Sequence, residues 1–549
     1  MGIPYYFYKV VQANQGILKY VPSCERLFLD YNSIIHVASA QVVSENPGVP
    51  VCKLEDTIFR RIISYTEAVV KKCPPSKLLY IAIDGVAPLA KMTQQRRRRH
   101  LTAYRNQLIN DYKKKCGMVI SDWDSNCITP ATEFMSRLNE QLRSHFLSGN
   151  TRTYEVYVSG PDEQGEGEHK IISYIKGTAG AIGAKDVIYG MDADLIMLSL
   201  TCKANGIYLM RERGGGGSGS QEEIDYVSID EMRKYVSLAL HGREDEVFML
   251  DYIFICFLLG NDFLPHPLML SIKHSGIDIL CNAYKSVYEE RGGADTCIVE
   301  KKKTGGDGDG DGKAVYAINY DFLKDMLRHL MMVENDSITE IMKDYDQMNF
   351  INKRFMDPVD KYAYDVDFTP LREKSANRKI ISQYHPKNPM WRNAYYYHLF
   401  GINPHTDLQG INDTCKNFLD GLEWNVNYYF NGVFSHNWFY KYPHAPTIKD
   451  LYHMVVNMTG DTRGCEKKCE EELVIKPWEQ LLIVLPYHSK YLVPEKYRKY
   501  ITDARLGCSH MYPTEFYIHT HLKRQLWECI PILPVIDIHR FLRMVRSGA

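Results

Sequence analysis

Four short apolar runs constrain the first 200 residues more than any other feature. They are RLFLD (Arg26 to Asp30), LLYIAID (Leu78 to Asp84), YEVYVSG (Tyr154 to Gly160) and DVIYGMD (Asp186 to Asp192). Each is rich in β-branched or aromatic residues, and segments of helical character separate them, the alternation that a mostly parallel α/β sheet requires. The expected class is therefore α/β, with a mostly parallel central sheet and flanking helices. Ligands of such sheets sit beyond the carboxyl ends of the strands, and acids end or follow several of these runs. No GxGxxG follows a strand, so dinucleotide binding has no support.

Carboxylates embedded in apolar segments are costly unless paired or metal bound. Seven stand in such contexts: Asp30 in LFLDYN, Asp84 in AIDG, Glu166 and Glu168 in GEGEHK, Asp192 and Asp194 in GMDADL, and Asp262 in LLGNDFLP. Acids one residue apart point the same way from an extended segment, so each close pair could offer two oxygen ligands. An all-oxygen set without matched Cys and His suits Mg²⁺ or Mn²⁺. Two such ions a few ångströms apart can activate water and hold the leaving oxygen in phosphodiester hydrolysis.

The chain holds 66 Lys and Arg against 67 Asp and Glu, a net charge of -1, so a polyanion site must be a local basic patch. KMTQQRRRRH, Lys91 to His100, is such a patch. On a helix, Lys91, Gln95 and Arg98 fall near one face with Arg99 adjacent. Their donors suit a terminal phosphate.

Other stretches bound the architecture. Val247 to Gly260 carries Asp251 and is too short for a membrane span, so no membrane role is expected. The 14 Cys form no framework, and Cys465 and Cys469 in CEKKC lack a second close pair, which favours free thiols over zinc. Gly214 to Ser220 is a flexible linker by composition, and Lys301 to Lys313 is a soft Asp/Gly loop that misses EF-hand spacing. Phe322 to Glu334 has amphipathic helical character, and aromatic density rises from Trp391 onward. The organisation expected is a core over 1–345 with soft segments at 214–220 and 301–313, a connecting segment over 346–390, and an aromatic-rich lobe over 391–549 packing on the core.

Longer segments carry a resemblance. MGIPYYFYKV, LFLDYNSIIH, AIDGVAPLAKMTQQRRRR, SGPDEQGEGEHKI, GMDADLIMLSL and FLLGNDFLPH, then LEWNVNYYFNGV, NWFYKYPHAP and LPYHSKYLVPEKYR, resemble the XRN 5′→3′ exoribonucleases. The resemblance implies a PIN/FEN-like nuclease core and a processive, magnesium-dependent hydrolase. Its substrate would be single-stranded RNA with a 5′-monophosphate, released as nucleoside 5′-monophosphates. Carried over, Asp30, Asp84, Glu166, Glu168, Asp192, Asp194 and Asp262 become metal ligands for Mg²⁺ or Mn²⁺, two ions in all. Lys91, Gln95, Arg98 and Arg99 become the 5′-phosphate pocket, with Lys91 also adding charge stabilisation in catalysis. His36 becomes a base-stacking ring and Pro88 a wall near the first nucleotide. Ser435-His436-Asn437-Trp438 departs from the family's two-Trp segment, so His436 replaces one Trp and Trp438 keeps the other as candidate substrate contacts. The expected form is a compact member without the long C-terminal accessory region, intracellular, in the cytoplasm rather than the nucleus, or virus-encoded. Decapping or host RNA-decay factors are partners the sequence does not identify. The alternatives weighed are a structure-specific DNA flap nuclease and an inactive RNA-binding scaffold.

Overall fold

A computed structural model describes residues 6–148, 152–178, 184–212, 224–240, 246–293, 296–303, 314–432, 435, 437–458 and 473–547. The apolar runs form neighbouring strands of one seven-stranded sheet: β1 (Leu18–Lys19), β2 (Cys24–Asp30), β3 (Pro75–Ala82), β4 (Glu155–Ser159), β5 (Asp186–Tyr189), β6 (Ile207–Glu212) and β7 (Ile224–Ser228). Their order is β1-β7-β6-β5-β2-β3-β4. β2 to β6 pair in parallel, while β7 is antiparallel to both β6 and β1.

Both faces of the central strands are covered, which is why they read as near-continuous apolar runs. Phe28, Leu78, Tyr80 and Ile188 point into one core. Leu27, Leu29, Leu79, Ile81, Val187 and Tyr189 point into the other. The period of two along each strand assigns alternate residues to opposite cores.

The α/β class expected for the chain is corrected. Among the described residues 59% are helical and only 10% lie in strands. This is a mostly helical fold with mixed small sheets, not a PIN/FEN-like core organised by its sheet. Beyond Ser228 only two short antiparallel pairs occur among the described residues, Val299–Lys303 with Ala314–Ile318 and Ile518–His519 with Ile530–Pro531. Helices such as Tyr320–Gln347 and Leu408–Val426 fill the remainder. The expectation rested on the strand-rich first 200 residues and carried their class over a longer helical half.

The aromatic clusters do gather in the C-terminal region, and that half packs into the same core as one side of the sheet. Trp424, Tyr428, Tyr429 and Phe430 share it with Phe28 and Ile188. Phe248 to Phe257 of the apolar helix Glu246–Phe257 are buried there, with Asp251 accepting from Tyr284 (2.5 Å), Ile298 N–H (3.2 Å) and Val299 N–H (2.9 Å). Among the described residues no helix is long and apolar enough to cross a membrane. Gly214 to Ser220, Cys465, Cys469 and most of the Lys301 to Lys313 segment lie outside the described residues.

Candidate active site

The acids meet where the sheet ends. Asp30 is the last residue of β2, Asp84 follows β3 by two residues, and Asp192 follows β5 by three. β3 and β5 flank β2, so the three acids share one rim. Glu166 is the residue immediately before the helix Gly167–Gly177, without a capping bond from its side chain, and Glu168 sits in the helix's first turn. Asp194 opens the helix Asp194–Leu200. The paired acids thus sit at helix N-termini, not on the extended segments that the one-residue spacing suggested. Helix N-termini favour negative charge, which offsets part of the cost of burying Glu166, Glu168 and Asp194.

A cleft of about 700 Å³ is lined by Asp30, Asp84, Glu166, Glu168, Asp192 and Asp262 together with Lys91, Gln95, Arg98, Arg99 and His36. Asp194 lies just outside this lining, its N–H donating to Asp192 Oδ1 at 3.3 Å. Close approach here depends on glycine. A Cβ on Gly167 would stand 2.9 Å from the Ala82 carbonyl oxygen and 3.1 Å from Asp30 Oδ1. Without one, the Gly167 N–H donates to Asp84 Oδ1 at 2.7 Å. Asn32 Nδ2 donates to the other oxygen at 2.7 Å, and the Asp84 N–H returns a bond to Asn32 Oδ1 at 3.2 Å.

Lys91 supplies the cluster's internal positive charge. Its Nζ lies 2.5 Å from Glu166 Oε2 and 2.9 Å from Asp262 Oδ2. Burial opposes its charge, but Asp262, Glu166 and Glu168 raise its pKa well above the lysine range. Burial likewise opposes ionisation of Asp262, yet Lys91 holds that carboxyl below the usual range. One ammonium cannot serve every acid. Burial, then the charges of Asp84 and Asp192, pushes Asp30 up to about 8. Burial also raises Glu168, aided by Asp192 and Asp194, and raises Asp194, aided by Asp192 and Asp262. Like charges crowded in a buried site demand further positive charge. An oxygen-rich donor set that lacks it fits a hard divalent cation. Ligand atoms of Glu166, Glu168 and His169 all lie within 4.8 Å of one another.

The basic end of the cleft comes from the helix Leu89–Lys115. Gln95 and Arg99 are buried and Arg98 is exposed. Gln95 Oε1 and Arg99 Nη1 have no hydrogen-bond partner among the described residues. Burial, then Arg98, lowers Arg99 to about 9. The exposed His36 ring reaches the cleft, where the surrounding protein, then Arg98 and Arg99, lowers its pKa and disfavours the charged form.

Pro88 and Trp438 do not line the cleft. Pro88 is the residue before the helix Leu89–Lys115. Trp438 stacks on Trp424 (centroids 5.4 Å apart), which stacks on Tyr428 (4.8 Å). His436 lies outside the described residues. Four neighbours escaped the sequence reading, the first being His169, whose ring nitrogen stands with the carboxylates of Glu166 and Glu168. Asn32 orients Asp84, and its place two residues after Asp30 was the available signal. Tyr428 donates its phenol to Glu166 Oε1. Arg211, at the end of β6, lines the cleft, donates to the Asp192 carbonyl at 3.2 Å and stands 4.4 Å over the Phe7 ring. Nothing local in the sequence marked Tyr428 or Arg211.

The chain is similar to known proteins along most of its length. Residues 1–213 match the family described as XRN 5′-3′ exonuclease N-terminus. Residues 243–362 and 371–547 match the Xrn1 helical domain. The chain is 28% identical to 5′-3′ exoribonuclease 1 of Homo sapiens, over all of the chain and 34% of that protein. It is 26% identical to 5′-3′ exoribonuclease 1 of Schizosaccharomyces pombe, over 96% of the chain and 46% of the relative. It is also 28% identical to 5′-3′ exoribonuclease 2 of Arabidopsis thaliana, over 94% of the chain and 62% of the relative. The chain therefore spans between about a third and under two thirds of the length of these relatives.

Proposed function

The chain belongs to the XRN 5′-3′ exonuclease family, and from that premise we propose that it is a divalent-metal-dependent, processive 5′→3′ exoribonuclease. Its substrate is single-stranded RNA bearing a 5′-monophosphate, and its products are nucleoside 5′-monophosphates. The observation that carries this reading is one cleft with a rim of partly buried acids at one end and the unpartnered Arg99 Nη1 donor at the other. A phosphate bound at the basic end leaves the chain's first linkage facing the acids.

Asp30, Asp84, Glu166, Glu168, Asp192, Asp194 and Asp262 are the residues to hold Mg²⁺ or Mn²⁺, in two sites. When bound, such ions lower the pKa of water and neutralise charge on phosphoryl oxygens. The protein's own part is placement. Gly167 N–H and Asn32 fix both oxygens of Asp84, and Tyr428 fixes Glu166. Lys91, held by Glu166 and Asp262, keeps a positive charge beside the reacting phosphate. Arg98, Arg99 and Gln95 grip the terminal phosphate, Arg through its planar fork. His36, being neutral, offers a ring face for a base without competing for the phosphate charge.

The test uses one RNA labelled at its 5′ end and again at its 3′ end, with Mg²⁺, Mn²⁺ or EDTA. Mononucleotides released first from the 5′ label, and no cutting in EDTA, are expected. Shortening that begins at the 3′ end would overturn the proposal, as would equal cutting in EDTA. Faster cleavage of flapped DNA duplexes than of RNA would favour a flap nuclease instead.

A further inference from the structure

The helix Leu89–Lys115 borders two cavities. Lys91, Gln95, Arg98, Arg99 and Thr102 line the acid cleft. Leu89, Thr93, Arg96 and Arg97 line a second cavity of about 370 Å³. At about 100° per residue, the two sets centre on opposite sides of the helix. The cavities share no lining residue, so the body of the helix separates them.

The second cavity has an unbalanced charge. Arg96, Arg97, Lys441, His398 and His519 line it, and none of its lining residues is an Asp or Glu. Three of these groups are already engaged: Arg96 donates to the carbonyls of Pro534 (2.7 Å) and Met511 (2.5 Å), His519 pairs with His444 at 3.0 Å, and His398 Nε2 lies 3.2 Å from Gln383 Oε1. Arg97 is not satisfied in this way. Among the described residues its one hydrogen bond is a 3.5 Å contact to the Tyr442 carbonyl. Among the described residues neither Arg97 nor Lys441 has a carboxylate within ion-pair distance. Burial depresses the Arg97 pKa, the mark of a charge held without an acid partner. A half-buried guanidinium is costly unless an anion completes it.

The remaining walls are apolar and partly aromatic, with Phe400, Phe439 and Pro531 among them. Inorganic phosphate alone would leave that surface bare. The volume falls in the range of small-ligand sites, which combine apolar walls with a few placed polar groups. We propose that this cavity binds a mononucleotide, its phosphate on Arg97 and Lys441 and its base against Phe400 and Phe439. Arginine suits the phosphate because its planar fork matches two oxygens. Phenylalanine faces accept any base, so purine and pyrimidine nucleotides should both enter. The assignment rests on the cavity itself and does not depend on the proposed nuclease activity.

Equilibrium dialysis of the full chain in EDTA, with labelled AMP, UMP and inorganic phosphate, tests it. AMP and UMP should bind with similar affinity and at least 10-fold more tightly than phosphate. Arg97→Gln should weaken AMP binding at this site by 10-fold or more. Lys441→Glu, at an exposed position where folding is not at risk, should do likewise. Arg99→Gln removes a phosphate donor of the acid cleft, so AMP held there is lost while AMP bound in this second cavity remains. AMP binding unchanged in both Arg97→Gln and Lys441→Glu would overturn the proposal. So would phosphate binding as tightly as AMP, or loss of all nucleotide binding in Arg99→Gln.

Discussion

Tyr428 donates its phenol to Glu166, 262 positions away in the chain. An acid of the cleft, at the start of the helix Gly167–Gly177, is therefore held by a residue of the helical half. Tyr428 is itself wedged between Trp424, stacked at 4.8 Å, and His169, with ring centroids 3.9 Å apart. Tyr428→Phe keeps the ring and removes only the hydroxyl. A hydrogen bond to a charged group is worth about 1.5–3 kcal/mol. The expected result is a fall of about 10- to 100-fold in single-turnover cleavage and weaker Mn²⁺ binding by electron paramagnetic resonance, with the melting profile little changed. Cleavage and Mn²⁺ affinity within twofold of wild type would mean that Glu166 does not need the phenol.

Lys91 is the internal counter-charge of Glu166 and Asp262. Removing one partner of a buried ion pair costs about 3–5 kcal/mol, because the other charge is left uncompensated. Lys91→Met should destabilise the metal-free chain by that order in urea. Added Mg²⁺ should then stabilise the variant more than it stabilises wild type, since a divalent ion supplies the missing charge. Identical urea midpoints for the two proteins in EDTA would reject the role given to Lys91.

Asp251 gives a pH signature away from the cleft. Burial pushes its carboxyl from 3.8 up to about 7, against the opposing bonds from Tyr284, Val299 and Ile298. Between these values the folded chain keeps a proton that the unfolded chain has released. Raising the pH through that window therefore favours unfolding. Relative to Asp251→Asn, which cannot titrate, wild type should lose stability from about pH 4 to about pH 7 and then level off. The span is on the order of 4 kcal/mol at most. Urea unfolding at pH 4.5, 6 and 8 measures it, and a pH-independent difference between the two proteins would count against the buried proton.

The sequence showed its strands because a parallel sheet covered on both sides imposes a local pattern. Leu27, Phe28 and Leu29 are all buried, but in alternate cores. Acids at strand ends were visible for the same reason, since Asp30 and Asp84 break apolar runs. The helical majority was misjudged although the amphipathic period within Tyr320–Gln347 was readable. A strand-rich opening says nothing of how many helices follow. Spacing also misplaced Glu166 and Glu168. Only the folded chain shows that Gly167, tight against the Ala82 carbonyl, starts a helix between them. Tyr428 and Arg211 were illegible because their partners are distant in the chain.

The sharpest expectation concerns the RNA end. Arg98, Arg99, Gln95 and Lys91 sit on one helix beside the acid rim, and Arg99 Nη1 is a buried donor without an acceptor among the described residues. A monophosphate supplies acceptor oxygens that a hydroxyl end lacks. A triphosphate or cap adds charge but must also fit between the helix and the acids, where further negative charge is repelled. The order expected is monophosphate first, with hydroxyl, triphosphate and capped ends all slower by at least 10-fold. An open basic channel predicts the reverse for triphosphate, because extra phosphates would bind at least as well. Arg98→Ala combined with Arg99→Ala should narrow the monophosphate-to-hydroxyl ratio by more than it slows the hydroxyl substrate. Single-turnover rates on four RNAs differing only at the 5′ end, for wild type and the double variant, decide it. Equal rates for all four ends would remove the pocket, and a wild-type preference surviving in the double variant would move it away from this helix.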